Sequence, residues 1–232
     1  MIRDRSSDPR RNRLLGGLSS SAFSLLSANL REVSLTQGML LQEEGKKTEY
    51  VYFPHHGMIA LVVIMEGEQA IETATIGREG ALGAMSGLIS RPAFTRATVQ
   101  IAGIASRITT SHFRRAVSRS NPVRDLVVNY QEVLLAQVEQ TAACNALHAV
   151  QFRLGRWLLQ SRDSTESDTI PLTQAGLSQM FGVRRSAVSS AARVLQEADL
   201  IRYRRGQIEI LDRRGLEEAT CKCYDVIRRQ VH

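Results

Sequence analysis

The sequence predicts an α+β chain, with antiparallel strands first, helices after, and one long helix between the two halves. Three observations carry this. From Val33 to Arg107, short apolar runs alternate with turn residues at close, regular spacing. From Pro122 to Ala143, a helical apolar period runs with no glycine or further proline. From Ile170 to Leu211, two short helical patterns share a glycine turn and are followed by a basic hairpin.

Composition bounds the partners. The chain has 232 residues, 43% of them hydrophobic, enough to build a real core and to argue against wholesale disorder. A formal charge of +7 favours a polyanionic partner, nucleic acid or an anionic membrane surface, although a solvated basic surface has the same balance. The longest apolar run, Met58 to Met65, falls far short of the ~18 residues that span a bilayer. The basic start (Arg3, Arg5, Arg10, Arg11, Arg13) is followed by no sustained apolar stretch, so a cytoplasmic protein with no membrane partner is expected. Three cysteines, Cys144, Cys221 and Cys223, suit a reducing compartment and supply no disulfide framework.

In chain order, residues 1–18 read as a flexible basic tail. A short helix follows over Ser21–Leu30, with Ser19 or Ser20 as its cap and Leu25 and Leu26 facing inward. Six runs then read as strands: Met39–Leu41, Tyr50–Phe53, Met58–Met65, Ala70–Ile76, Thr98–Ile101 and Ala105–Ile108. They are parted by Gly38, Glu44-Gly45, His56-Gly57, Glu66-Gly67 and Gly103, and predict an antiparallel sandwich or barrel over 19–120. Helix resumes near Ser111. In the long helix, 121–143, Val123, Val127, Tyr130, Leu134 and Val138 form one stripe, widened by Leu126, Val133 and Leu135. Such a stripe packs on the chain's own sheet or forms a two-chain seam. Its breadth and its place between two domains favour the seam, hence a dimerisation helix. Another amphipathic helix carries Leu147, Val150, Leu154, Trp157 and Leu158, and Ser161–Thr169 reads as a loop.

The chemistry is concentrated in 144–232. Thr173 caps a short helix whose inner face is Leu177 and Met180, and Gly182 ends it where positive φ is needed. A second helix starts at Arg184 or Arg185. It turns Val188, Ala191 and Leu195 inward and leaves Arg185, Ser186, Ser189, Ser190 and Arg193 outside. Arginine makes bidentate bonds to guanine, serine offers short hydroxyls to bases or phosphates, and small side chains let a helix sink into the major groove. The segment Ile201–Ile210 reads as a hairpin with Arg205-Gly206 at its tip, a wing whose Arg204 and Arg205 face phosphate. Thr173, Gln174 and Arg184 complete the candidate DNA contacts.

The run Leu172-Thr173-Gln174-Ala175-Gly176-Leu177-Ser178-Gln179-Met180-Phe181-Gly182-Val183-Arg184-Arg185-Ser186-Ala187-Val188 resembles the helix-turn-helix of the Crp/Fnr regulators. Ala192-Arg193-Val194-Leu195 and Leu200-Ile201 continue the likeness. Thr36-Gln37-Gly38-Met39-Leu40 to Gly45 is similar to the opening turn of that family's cyclic-nucleotide-type β-roll. Gly77-Arg78-Glu79-Gly80-Ala81-Leu82-Gly83 and Arg96-Ala97-Thr98-Val99 stand where its later turns belong. The resemblance implies an N-terminal β-roll sensor, a long dimer helix and a C-terminal winged helix-turn-helix. It further implies a homodimer reading a two-fold symmetric site on double-stranded DNA, with RNA polymerase a further partner.

Several positions depart from the family. Nucleotide-binding members present Gly-Glu-Leu, then Arg-Ser or Arg-Thr before Ala. This chain has Gly80-Ala81-Leu82 and Thr95-Arg96-Ala97, so the ribose-holding carboxylate is missing and the arginine is displaced by one residue to the other face of its strand. Effector contact would fall to Gly80, Leu82 and Arg96, and cyclic AMP is not the expected ligand. No cysteine precedes Cys144, which argues against the family's N-terminal iron–sulfur cluster. His55, His56 and His112 are weak haem candidates. Cys221-Lys222-Cys223 lacks third and fourth ligands nearby in sequence, so no metal is expected either. Ser186 and Ser190 replace the Glu and Arg that many members use to read DNA, leaving Arg185 as the main base-contact candidate. No P-loop, dinucleotide fingerprint or nucleophile motif supports an enzyme. The rival reading is an effector-binding or protein-interaction module whose basic helix faces only solvent.

Overall fold

A computed structural model of the chain describes residues 8–66 and 69–231. Arg3 and Arg5 of the basic start, and Gly67 of the expected Glu66-Gly67 turn, lie outside them. The chain divides into two compact units. The first ends at Leu61 and resumes over Thr75–Leu134; the second takes Val62–Ala74 and continues from Leu135.

In the first unit, α1 (Arg13–Gly16) and α2 (Ser20–Ser27) lead into β1 (Arg31–Leu35), β2 (Leu40–Gln42) and β3 (Tyr50–Ile64). β4 (Ala70–Ile76), β5 (Arg96–Thr109) and α3 (Thr110–Arg119) follow, although the end of β3 from Val62 and β4 as far as Ala74 count with the second unit. The sheet runs β1-β5-β3-β4, all of β1 pairing antiparallel with the C-terminal half of β5 while β2 pairs with its N-terminal end. Two runs expected as separate strands on either side of His56-Gly57 are one strand, as are the two flanking Gly103. Here the glycines are not turn formers. A Cβ on Gly57 would meet Ala102 and Gly103 backbone, and one on Gly103 would meet His56 backbone, so bare Cα atoms let long β3 and β5 cross closely.

The expected flexible tail is folded from its ninth residue. Asn12 is fully buried: its amide donates to the carbonyls of Pro54 (3.0 Å) and Gly80 (2.8 Å), and its carbonyl caps α1 at Leu15 N–H (3.2 Å). Leu15 and Leu18 enter the core. Ser19 caps α2 as expected, and Leu26 is buried, but Leu25 is exposed.

In the long helix, α4 (Asn121–Leu147), three of the five residues of the expected seam are taken up within the chain. Val123, Val127 and Tyr130 are buried in the core of their own unit with Phe53 and Phe113, and Leu126 and Leu134 pack against it. Intrachain burial took that stripe because α2, α3 and β3 offer it an apolar bed. Besides Leu147 at its end, α4 leaves exposed Val128 (42%) and Leu135 (54%), seven residues apart, with Ala142 the next step of the same row. Val138, the last residue of the expected stripe, is half-buried.

In the second unit, α5 (Val150–Thr165) buries Leu154, Trp157, Leu158 and Leu159. Leu147, expected with them, ends α4 and is exposed. The expected loop after Ser161 is helix as far as Thr165. Then come β6 (Thr169–Pro171), α6 (Gln174–Phe181), α7 (Arg185–Glu197), β7 (Ile201–Arg204) and β8 (Gln207–Ile210). The chain closes with α8 (Arg213–Ala219) and α9 (Cys223–Val231). β6 makes the hairpin a three-stranded sheet, β6-β8-β7. Trp157 donates its indole N–H to Glu72 at 3.0 Å in a buried pair. Burial pushes the Glu72 carboxyl up to about 8, against smaller opposing effects of Arg156 and that hydrogen bond. No described helix is long and apolar enough to cross a membrane.

Candidate nucleic-acid interface

The turn between α6 and α7 is built by short-range chemistry. Gly182 adopts φ 63°, and its N–H closes α6 onto the carbonyls of Gln179 and Ser178. Ser178 Oγ donates to the Val183 carbonyl at 2.6 Å, fixing the entry to α7. Leu177, Met180 and Phe181 of α6, with Val188, Ala191, Ala192 and Leu195 of α7, bury one face of each helix. This leaves Arg184 at the start of α7, then Arg185, Ser186, Ser190 and Arg193, all exposed. The first acidic residue on α7 is Glu197, 3.9 Å from Arg193, both side chains 71% exposed; such a pair holds little energy and leaves the arginine available.

Three predicted contact residues, Ser189, Gln174 and Thr173, hold a second task. Ser189 Oγ donates to Gln174 Oε1 at 2.8 Å, tying α7 to the start of α6, so the Ser189 hydroxyl is engaged within the protein rather than aimed outward. Thr173 caps α6 through Gly176 N–H at 3.1 Å yet stays exposed. The wing is locked to both helices by residues that no sequence pattern singled out. Tyr203 OH accepts the Gln174 N–H at 3.0 Å, and Gln196 Oε1 accepts the Tyr203 N–H at 2.9 Å. A tyrosine on the exposed edge of a basic hairpin was the available signal, but its partner is set only by folding.

At the hairpin tip Arg205 (φ 48°) and Gly206 (φ 77°) both lie in the left-handed region, the two-residue turn that matches strand twist. Arg204 and Arg205 are exposed. Arg202 instead pairs with Glu209 across the strands at 3.0 Å. The tip stands beside the α6 cap, since a Cβ on Gly206 would meet Thr173 Cγ2 at 3.5 Å. Thr173, Arg204 and Arg205 thus form one edge, and Arg184, Arg185, Ser186, Ser190 and Arg193 the face beside it.

The candidate effector residues belong to the first unit, where a cavity of about 330 Å³ opens beside Leu82. Leu82 lines it and pairs its backbone with Tyr52 (2.9 and 3.0 Å). Gly80 does not: the Tyr130 ring lies where its side chain would stand. Arg96 is exposed at the start of β5 and is not among the lining residues; the cation at the cavity is Arg91, with Gln42, Thr48 and Gln131. Of the histidines, His55 is buried against Ser106 Oγ at 2.9 Å, and His112 Nδ1 meets Thr109 Oγ1 at 2.8 Å.

The sequence model of the Crp-like helix-turn-helix domain matches residues 152–219, which hold α6, α7 and the wing. No curated protein matches the chain in sequence. Solved structures do share its fold. A protein assigned to the Crp/Fnr transcriptional regulators from Eubacterium rectale is 14% identical, with 90% of this chain and 98% of that one covered at a TM-score of 0.67. FixK2 from Bradyrhizobium japonicum is 16% identical over 83% of this chain and 98% of its own, TM-score 0.65. A Crp-family transcriptional regulator from Thermus thermophilus is 15% identical over 81% and 95%, TM-score 0.66. The chain therefore has the Crp/Fnr-type transcription-regulator fold, and its second unit carries a Crp-like helix-turn-helix DNA-binding domain.

Proposed function

We propose that the protein is a sequence-specific regulator of transcription that binds a two-fold symmetric operator as a homodimer in the cytoplasm. One observation carries the reading: α7 buries its apolar face and turns outward a face of Arg184, Arg185 and Arg193 with only small serines between them. That face has the width and chemistry of a major-groove reader. Arg185, at the first turn, reads a guanine edge, and Ser186 and Ser190 keep the approach close. Thr173 at the α6 N-terminus and Arg204 and Arg205 on the wing hold phosphates and set the register.

Two copies are joined along α4 through the exposed row of Val128, Leu135 and Ala142, rather than through Val123, Val127 and Tyr130. The roll cavity takes an effector other than cyclic AMP, since Ala81, not a carboxylate, stands in the cassette and Arg96 lies off the cavity wall. RNA polymerase is the downstream partner of such a regulator. Selection of bound duplexes from a random pool tests the reading: a palindromic motif is expected, and it should be lost with Arg185→Ala. Enrichment of no sequence by the native chain, in the presence and absence of cell extract, would remove it.

A further inference from the structure

All three cysteines of the chain, distant in sequence, meet at one place in the second unit. Cys144 lies near the end of α4 and His148 one turn on, its N–H still bonded to the Cys144 carbonyl at 3.0 Å, so the two side chains share a face. Cys221 comes from the link after α8, and Cys223 opens α9. The Sγ atoms of Cys144 and Cys221 are 3.7 Å apart, and Cys223 Sγ and His148 Nδ1 3.5 Å apart. All four potential ligand atoms lie within 4.8 Å of one another.

We propose that Cys144, His148, Cys221 and Cys223 form a tetrahedral site for a single zinc-class divalent cation, clamping the entry of α9 to the end of α4. Three thiolates and one imidazole are a donor set that structural zinc uses. The spacings fit. With Zn–S of ~2.3 Å and Zn–N of ~2.0 Å at tetrahedral angles, the S···S edge is about 3.7 Å and the S···N edge about 3.5 Å. A polynuclear iron–sulfur cluster would hold its cysteines farther apart. A Cys144–Cys221 disulfide would leave Cys223 and His148 converging on the same point without a reason.

The surroundings suit a bound metal. Gln140 Nε2 donates to Cys223 Sγ at 3.1 Å, orienting that ligand as outer-sphere donors do. Thr220 Oγ1 donates to the Phe152 carbonyl at 2.8 Å and fixes the loop that presents Cys221, while Phe152 seals the cluster and packs edge-on against His148. Three thiolates on a dication leave one negative charge. Arg153 and Arg156, both buried, supply positive charge next to Cys144. Each ligating thiol releases its proton to water as the metal enters, so binding weakens in acid.

The full chain, purified under reducing conditions, is assayed for metal content, then stripped and titrated with Co2+ followed by Zn2+. One equivalent per chain is expected, with the intense visible bands of tetrahedral thiolate-bound cobalt, bleached by zinc. Zinc should raise the melting temperature and shield all three cysteines from alkylation. Cys144→Ser and Cys223→Ser should abolish the bands, His148→Ala should weaken zinc binding about tenfold or more, and Lys222→Ala should leave it unchanged. The proposal is overturned if the reduced native chain, its three thiols titratable, takes up no cobalt. It is also overturned if the cysteines remain open to alkylation in zinc, or if the serine variants keep the bands. A native disulfide whose reduction yields no metal-binding chain would likewise replace it. Because stoichiometry and alkylation are read on the native sequence, the test survives a variant that fails to fold, and none of its arms involves DNA.

Discussion

Arg185 sits at the first turn of α7 with its side chain in solvent, whereas Ser189, one turn on, is turned back to Gln174. In the proposed reading, base readout therefore concentrates on Arg185. Its replacement by alanine should cost about 1–3 kcal/mol of specific binding and relax preference at one operator position, measured by titrating labelled duplexes that differ there. Arg205→Ala should instead weaken all duplexes alike. Glu72 makes a prediction of a different kind. Its buried carboxyl is raised from 4.5 to about 8, so the fold prefers it protonated while the unfolded chain ionises it near its ordinary value. Its contribution is complete below about pH 4.5 and is lost as pH rises through about 8. Glu72→Gln, which keeps an acceptor for Trp157, should flatten the decline in urea stability across that window. An unaltered pH profile in this variant would mean the carboxyl is already ionised in the fold.

At the scale of elements, the crossing of β3 and β5 depends on two glycines without side chains. Gly103→Ala would push a methyl into the His56 backbone, where neither strand can yield without losing its ladder. A loss of several kcal/mol, about 3 or more, is expected from chemical denaturation, far above the ordinary cost of alanine in a strand. The wing is held differently, by side chains reaching back to helices. Tyr203→Phe removes the acceptor of the Gln174 N–H and should cost about 1 kcal/mol. On α4, Leu135→Asp should leave the fold intact, because that side chain is exposed, yet dissociate the proposed dimer in sedimentation. A dimer unaffected by it would place the seam elsewhere.

For the molecule as a whole, the excess of positive charge becomes a binding property only where the arginines are free of acidic partners. Arg202 and Arg213 are paired, to Glu209 and to Asp163 and Glu217, so they add little to a DNA footprint. Arg184, Arg185, Arg204 and Arg205, with Arg193 held only by an exposed pair to Glu197, remain on one exposed face and edge of the second unit. The logarithm of affinity should fall linearly with the logarithm of salt, and replacing Arg204 or Arg205 by alanine should reduce that slope by about 1 for each phosphate no longer neutralised. A salt-independent association would mean that phosphates are not what these residues hold.

The helix-turn-helix segment was legible from the sequence because its logic is local. Gly182, Thr173 and the outward arginines follow from turn geometry, capping and a period of 3.6 residues, all contained within one short stretch of chain. The order of strands before helices was legible for the same reason. What depended on distant parts of the chain was not. Asn12 became a core residue through the carbonyls of Pro54 and Gly80. Gly57 and Gly103 read as turns because only their pairing reveals a close crossing. The stripe of Val123, Val127 and Tyr130 fitted a partner helix as well as its own sheet, and apolar periodicity carries no information about which chain supplies the other face. Cys144 and Cys221, 77 residues apart, show no spacing that a linear motif could capture. Local patterning alone determined the fold class and the helix-turn-helix, whereas the core's polar anchor, the face of α4 left open and the cysteine–histidine cluster required the tertiary structure, because each is a meeting of segments that only burial brings together.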